Sequence, residues 1–235
     1  MIHGRRLTAL IPARGGSKGI PRKNLYEIDG ETLVARAARL ARGCARIDGV
    51  YVSTDDEEIY AVAVANRCAT PSLRPAALAT DAARTIDVLR DLAATRVVDS
   101  DGCVLLLQPT TPLRTAADLE AVCDLLDSRW ETADAVVSVS EVEAPHPFKA
   151  QTIADGYLRS LFERDAAVPR QSLPPAFVPN GAFYLGKTDV LLREDTFMPA
   201  RSVPYVMTAE ASINLDGPLD LKLLQAVLDG RQAPR

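Results

Sequence analysis

Residues 11–24 read IPARGGSKGIPRKN, placing three glycines and four cationic side chains within fourteen positions, directly after a short apolar run. Glycines at a strand end let backbone N–H groups approach phosphate oxygens, and cationic side chains complete such a cradle. The spacing is not that of a Walker A loop, because no G-K-[ST] closes it, and it is not G-x-G-x-x-G either. The glycines alone fit a plain surface turn. Arg14, Lys18 and Lys23 following a first strand point instead to phosphate, carried by a nucleoside triphosphate. Other catalytic sets are absent from the sequence. His3 and His146 are the only histidines, so no Ser/His/Asp or zinc–histidine constellation is available, and His146 reads as a structural residue. Cys44, Cys68, Cys103 and Cys123 are widely spaced with no CxxC pair. They read as small buried apolar residues in a reducing compartment.

The elements that must position this loop alternate along the chain. Strand-like runs at 7–12, 49–55, 103–108 and 134–140 are separated by stretches with helical spacing at 31–44, 56–68, 85–98 and 116–129. Acidic residues open the helix at 56–68, where the helix dipole favours them. This βαβα order predicts an α/β fold, a Rossmann-like three-layer sandwich with a mostly parallel central sheet. In such sheets ligands sit at the carboxyl ends of strands, which is where the glycine loop lies. The pattern changes over residues 141–179, which are proline-rich and weakly periodic and read as an ordered excursion, a lid or a dimerisation arm. Strands at 181–186 and 202–207 and a helix at 218–230, with Pro218 near its start, complete the chain.

Bulk properties narrow the partners. With 235 residues, 47% of them hydrophobic, the chain can bury one substantial core. A net charge of -4 and low aromatic content give no footprint for nucleic acid, base stacking or an anionic membrane. The N-terminal apolar run is too short for a signal h-region or a membrane span, so a soluble cytoplasmic protein is expected.

The loop IPARGGSKGIPRKN resembles the N-terminal signature of the CMP-N-acylneuraminate cytidylyltransferases, the CMP-sialic acid synthetases. Four later segments are similar to the same family in the same order: LRPAALATD (73–81), LLQPTTPLR (106–114), RQSLPPAFVPNGAFY (170–184) and INLDGPLDL (213–221). The resemblance spans nearly the whole chain. It implies one nucleotidyltransferase domain over 1–235, with 141–179 as an inserted dimerisation arm, and transfer of CMP from CTP to the anomeric hydroxyl of a 2-keto sugar acid, here a sialic-acid-like nonulosonate, with release of pyrophosphate. It further implies Mg²⁺ as cofactor and a homodimer, with no nucleic acid and no membrane as partners.

Residue by residue, the resemblance assigns phosphate contacts to Arg14 and catalysis near the α-phosphate to Lys23. Gly15, Gly16, Ser17, Lys18, Asn24, Arg74 and Thr85 match nucleotide-binding positions, with Thr85 standing where serine is common. Gln108 matches the glutamine that bonds the sugar acid. Lys149 and Arg170 match cations that the arm brings towards the partner's sugar site. Asn180, Tyr184 and Phe197 match positions lining that pocket. Val178 and Met198 depart from residues found in some members, and Thr111 stands where T-S-P-L-R has serine. The largest departure is at the metal motif. The family's D-I-D reads Asn214-Leu215-Asp216 here, leaving Asp216 as carboxylate and the Asn214 carbonyl as a neutral hard oxygen.

Other readings stay open on the sequence. A sugar-1-phosphate nucleotidylyltransferase would show a longer G-x-G-T-R-type loop, and a nicotinamide-dependent dehydrogenase needs the dinucleotide spacing. A non-catalytic nucleotide-binding homologue would keep the cradle without turnover. Kdo, legionaminate, pseudaminate or a phosphonate as acceptor, or another NTP, is equally compatible with the fold.

Overall fold

The structure is a computed structural model and describes residues 1–142, 144–162 and 168–232, apart from the side chains of Arg170 and Gln232. Strand β1 (Leu7–Pro12) is an unbroken apolar run, buried from Leu7 to Ile11. The glycine loop follows it and ends in a single 3-10 turn at Lys23–Leu25. A short hairpin, β2 (Glu27–Ile28) and β3 (Glu31–Thr32), turns at Asp29-Gly30, with φ of 54° and 75°. Both values are left-handed, as a two-residue hairpin turn requires. Helix α1 (Leu33–Gly43) is therefore two residues shorter at its start than its periodicity predicts, and the Thr32 hydroxyl accepts from the Ala35 N–H to cap it.

The remaining elements are β4 (Gly49–Ser53), α2 (Glu57–Ala65), α3 (Thr85–Ala94), β5 (Cys103–Leu106), α4 (Ala116–Ser128) and β6 (Ala135–Glu141), then a small hairpin of β7 (Gln151–Ala154) and β8 (Tyr157–Ser160). The chain closes with β9 (Phe177–Lys187), α5 (Thr188–Glu194), β10 (Ser202–Met207) and α6 (Pro218–Gln232). Asp56 caps α2 by accepting from Glu58 and Ile59, and Thr115 and Asp118 form a reciprocal capping box on α4. Helix α5 and the two small hairpins are not visible in the periodicity, and β9 starts four residues earlier than predicted.

Six strands form the central sheet in the order β10-β6-β9-β5-β1-β4. All pairs are parallel except those of β9, which runs antiparallel between β5 and β6. Period-two alternation divides the core between the two faces. Ala9, Ile11, Val50, Val52 and Leu105 pack with α1, α2 and α4, whereas Leu10, Tyr51, Val104 and Leu106 pack with α3 and α5. This is the three-layer arrangement predicted from the βαβα order. A third cluster of Ile20, Ile28, Leu33, Leu113, Ile213 and Leu215 fixes the far side of the glycine loop against the start of α6.

From β1 the chain crosses first to β4 on one side and later to β5 on the other. The carboxyl end of β1 is thus a switch point, where an open α/β sheet leaves a crevice. All four cysteines are free and buried. Burial pushes the Cys103 and Cys123 thiols up to about 12, so both are inert thiols. No helix among the described residues is long and apolar enough to cross a membrane.

Candidate active site

A cleft of about 570 Å³ opens at this switch point. Its walls bring together Arg14, Ser17, Lys18, Lys23 and Asn24 from the glycine loop, Arg74 and Thr85 from beyond β4, Gln108 from beyond β5, and Asn214 and Asp216 from before α6. These residues come from four separate stretches of sequence. Four cations against two carboxylates, Asp81 and Asp216, leave the lining with a net charge of +2.

Each cation is held in place by the protein itself. Arg14 donates to Asp81 at 2.6 Å, and Lys18 reaches the other oxygen of that carboxylate at 2.5 Å. Lys18 first and Arg14 second hold the Asp81 carboxyl below its ordinary range. Asp81 was not singled out by motif reasoning, although it ends the LRPAALATD segment; the signal available was a carboxylate in a motif whose other members are loop residues. Lys23 sits 3.0 Å from Asp216, with its side chain mostly covered, while Asp216 is largely exposed. Asn24 is buried and donates to the Arg14 carbonyl at 2.9 Å, which fixes the loop that carries Arg14, Lys18 and Lys23. Arg74 is stapled to β4: its Nε donates to Ser53 Oγ at 2.9 Å and its Nη2 to the Ser53 carbonyl. Burial makes its guanidinium easier to deprotonate than usual.

Close approach explains two glycines. A side chain at Gly19 would overlap the Asp216 carbonyl, so this close approach of the loop to the segment before α6 requires glycine. The Gly15 N–H donates to Asp55 at 3.0 Å, and a Cβ there would lie 2.6 Å from the Asp56 carboxylate. Gly16 has open space around its Cα.

The sugar-side residues divide. Gln108 lines the cleft, and Gly181 lies so close that a Cβ would be 2.5 Å from Gln108 Oε1. Asn180 lies behind this surface, buried, with Oδ1 accepting from Ser138 and Ala182 and Nδ2 donating to Ser212 at 2.8 Å. Tyr184 and Phe197 meet edge to face at 6.5 Å and pack on the α3 side of the core. Burial raises the Tyr184 phenol. These three are not among the residues lining the cleft. Lys149 is also away from it and donates to the Val168 carbonyl at 2.6 Å. The Arg170 side chain lies outside the described residues. His146 holds the root of the excursion, with Nε2 on the Pro174 carbonyl and Nδ1 accepting from Phe148.

At the candidate metal position, Asn214 Nδ2 donates to Asp216 Oδ2 at 2.6 Å, and Asn214 Oδ1 is buried with no hydrogen-bond partner. No group of three His, Cys, Asp or Glu that could hold a metal occurs among the described residues. One carboxylate beside an unsatisfied amide oxygen is a hard-oxygen set. It suits an ion that arrives with most of its coordination filled by water and phosphate.

Residues 8–230 match the family model described as Cytidylyltransferase. The chain is 33% identical over 210 residues to the N-acylneuraminate cytidylyltransferase of Streptococcus agalactiae serotype V, covering 88% of this chain and 49% of that protein. It therefore spans about half the length of the streptococcal relative. It is 29% identical over 233 residues to the CMP-N,N'-diacetyllegionaminic acid synthase of Legionella pneumophila, covering 97% of this chain and 98% of that one. In fold it is similar to the structure of CMP:2-keto-3-deoxy-manno-octonic acid synthetase complexed with CTP, with a TM-score of 0.68 at 18% identity, covering 96% and 99% of the two chains.

Proposed function

The chain belongs to the cytidylyltransferase family, and from that premise we propose that it transfers CMP from CTP to the anomeric hydroxyl of a sialic-acid-like nonulosonate, releasing pyrophosphate. The observation that carries this reading is the cationic cleft at the β1 switch point, where Arg14, Lys18 and Lys23 converge on one space with Gln108 at its edge. Within the protein Arg14 and Lys18 share Asp81, and Lys23 pairs with Asp216, so the carboxylates offset only part of the positive charge. A triphosphate would take over those contacts, so the site exchanges internal carboxylates for ligand phosphates.

The reaction is an in-line displacement at the α-phosphorus, in which the anomeric hydroxyl oxygen forms the new bond as its proton passes to solvent, and the pyrophosphate oxygen leaves with its electron pair. Such chemistry relies on positioning and on neutralising charge. Arg14 offers a planar fork to phosphate oxygens, and Lys23 stabilises charge that builds on the α-phosphate and leaving group. Gly16 and Ser17 would bring backbone N–H groups near the phosphates, while Gly15, whose N–H is held by Asp55, lets the loop pack closely against Asp56. Asn24, Arg74 and Thr85 form the base and ribose end. Gln108 bonds the sugar acid; Asn180, Tyr184 and Phe197 support that wall from behind. Lys149 and Arg170 meet the acceptor carboxylate from a partner subunit in a homodimer built through 141–179. Asp216 and the Asn214 carbonyl would hold Mg²⁺, which when bound neutralises part of the triphosphate charge. The enzyme works in the cytoplasm, where CTP is available.

The test is incubation with CTP and Mg²⁺ against N-acetylneuraminate, N,N'-diacetyllegionaminate, pseudaminate and Kdo, with UTP, ATP and GTP as control nucleotides. A CMP-sugar formed from CTP and one nonulosonate supports the reading and names the acceptor. Product with Kdo alone, with another nucleotide alone, or with none of them overturns it.

A further inference from the structure

Behind the segment that carries Gln108 lies a second cavity of about 190 Å³, and Pro109 lines both it and the cleft. Its walls include Arg36 and Arg39 of α1 and Arg114. Arg114 is buried, and its Nη1 donates to the carbonyls of Gln108 at 2.8 Å and Ala182 at 2.9 Å. Its guanidinium carbon lies 5.9 Å from the centre of the Phe183 ring. Among the described residues Arg114 forms an ion pair with no carboxylate. Burial pushes it down to about 9, which still leaves it cationic at neutral pH. A buried charge with only dipoles for company is costly, and a counter-ion relieves that cost.

The surrounding charges do not supply one. Glu31 is bound bidentate by Arg39, at 2.7 and 2.9 Å, and lies 3.6 Å from Arg36. Asp118, at the adjacent start of α4, is engaged by Thr115 and by the Tyr205 hydroxyl. Three guanidinium groups against the one carboxylate of Glu31 leave the pocket two charges positive.

We propose that this rear pocket is a second anion site, separate from the cleft, which takes one small phosphate-type dianion between Arg36, Arg39 and Arg114. Planar guanidinium forks are the side chains best matched to a tetrahedral oxyanion. The same Arg114 that faces the anion holds the Gln108 carbonyl on its other side, so the two sites share a wall.

The experiment is titration of the full chain with inorganic phosphate, followed by calorimetry. An Arg14→Ala/Lys18→Ala/Lys23→Ala variant removes the glycine-loop cations from the cleft whatever nucleotide the enzyme uses, so the outcome does not depend on the proposed reaction. That variant is expected to keep one phosphate per chain. Adding Arg36→Gln and Arg39→Gln is expected to weaken that binding by at least ~10-fold, since each removes a charge-assisted contact. Arg39→Gln alone, at an exposed side chain, weakens it in the same direction if the combined variant fails to fold. The proposal is overturned if the cleft variant binds no phosphate, or if its binding is unchanged by the Arg36 and Arg39 substitutions.

Discussion

Lys23 and Asp216 are 193 positions apart in sequence and 3.0 Å apart in the fold. The ion pair shows how a residue-level reading of the glycine loop comes to involve the start of α6. Lys23→Ala leaves only an exposed carboxylate behind, so the fold should be kept. If Lys23 stabilises the leaving pyrophosphate, kcat/KM for CTP should fall by about 10²–10³, with an unchanged melting midpoint. A rate within twofold of wild type would remove Lys23 from the chemistry. Asn214→Asp restores the second carboxylate and replaces the amide that now donates to Asp216. The magnesium concentration for half-maximal effect should drop severalfold, read both from turnover and from direct Mg²⁺ binding, because affinity follows ligand charge. An unchanged requirement would show that Asn214 does not face the ion. The cations of the cleft were legible because glycine spacing and charge are local signals. The partners of those cations were not: Asp81 meets Arg14 across 67 positions, and no local pattern records that. Asn180 illustrates the opposite limit, since its match to a pocket residue says nothing of the Ser138 and Ser212 bonds that turn its side chain into the core.

At the scale of elements, strands and long helices follow from periodicity, whereas the short pieces depend on turns and tertiary pairing. The two hairpins carry Asp-Gly at residues 29–30 and 155–156, the dipeptide expected of a two-residue turn, with φ of 54° and 75° in the first and 53° and 80° in the second. That signal was present in the sequence, but the strands flanking it are too short to show alternation. The antiparallel course of β9 has no periodic signature at all, because a strand buried on both faces looks alike in either direction. One glycine in β9 lies against the candidate site. Gly181 has φ of 81°, and a methyl group there would press on Gln108 Oε1 and, at 3.1 Å, on Thr111 Oγ1. Gly181→Ala should lower stability by about 1–3 kcal/mol and raise KM for the sugar acid more than for CTP. Equal KM changes for both substrates would separate Gly181 from the Gln108 wall. At the opposite end of the sheet, Asp134 ties β6 to Lys187, at 3.3 Å, and to Arg201, at 2.7 Å. Arg201 first, then Lys187, holds the Asp134 carboxyl below its usual range. A depressed carboxyl stabilises the fold above the unfolded-state value, and that contribution is lost as pH falls through the lower folded value. Asp134→Ala should therefore cost about 2–3 kcal/mol at neutral pH. The gap from wild type should close below the ordinary carboxylate range, as urea melts at several pH values would record. A gap independent of pH would mean that packing, not charge, is lost.

For the whole molecule, the small β7–β8 hairpin is the part that a single chain accounts for least well. Two strands alone are marginal in water, yet Ile153, Tyr157 and Leu158 are 75%, 71% and 71% exposed. The proposed homodimer would bury these residues and bring Lys149 towards the other subunit's cleft. Light scattering should give a dimer mass, and Ile153→Asp with Leu158→Asp should shift it to the monomer and lower turnover. A monomeric wild type with full activity would contradict that arrangement. The central claim concerns which phosphate bond breaks. CTP labelled at the α-phosphorus, incubated with enzyme, Mg²⁺ and the nonulosonate panel in a single turnover, tests it directly. The account predicts label in a CMP-sugar with one pyrophosphate released per label transferred. Label recovered as CDP with inorganic phosphate, or left in CTP with every acceptor, would contradict it.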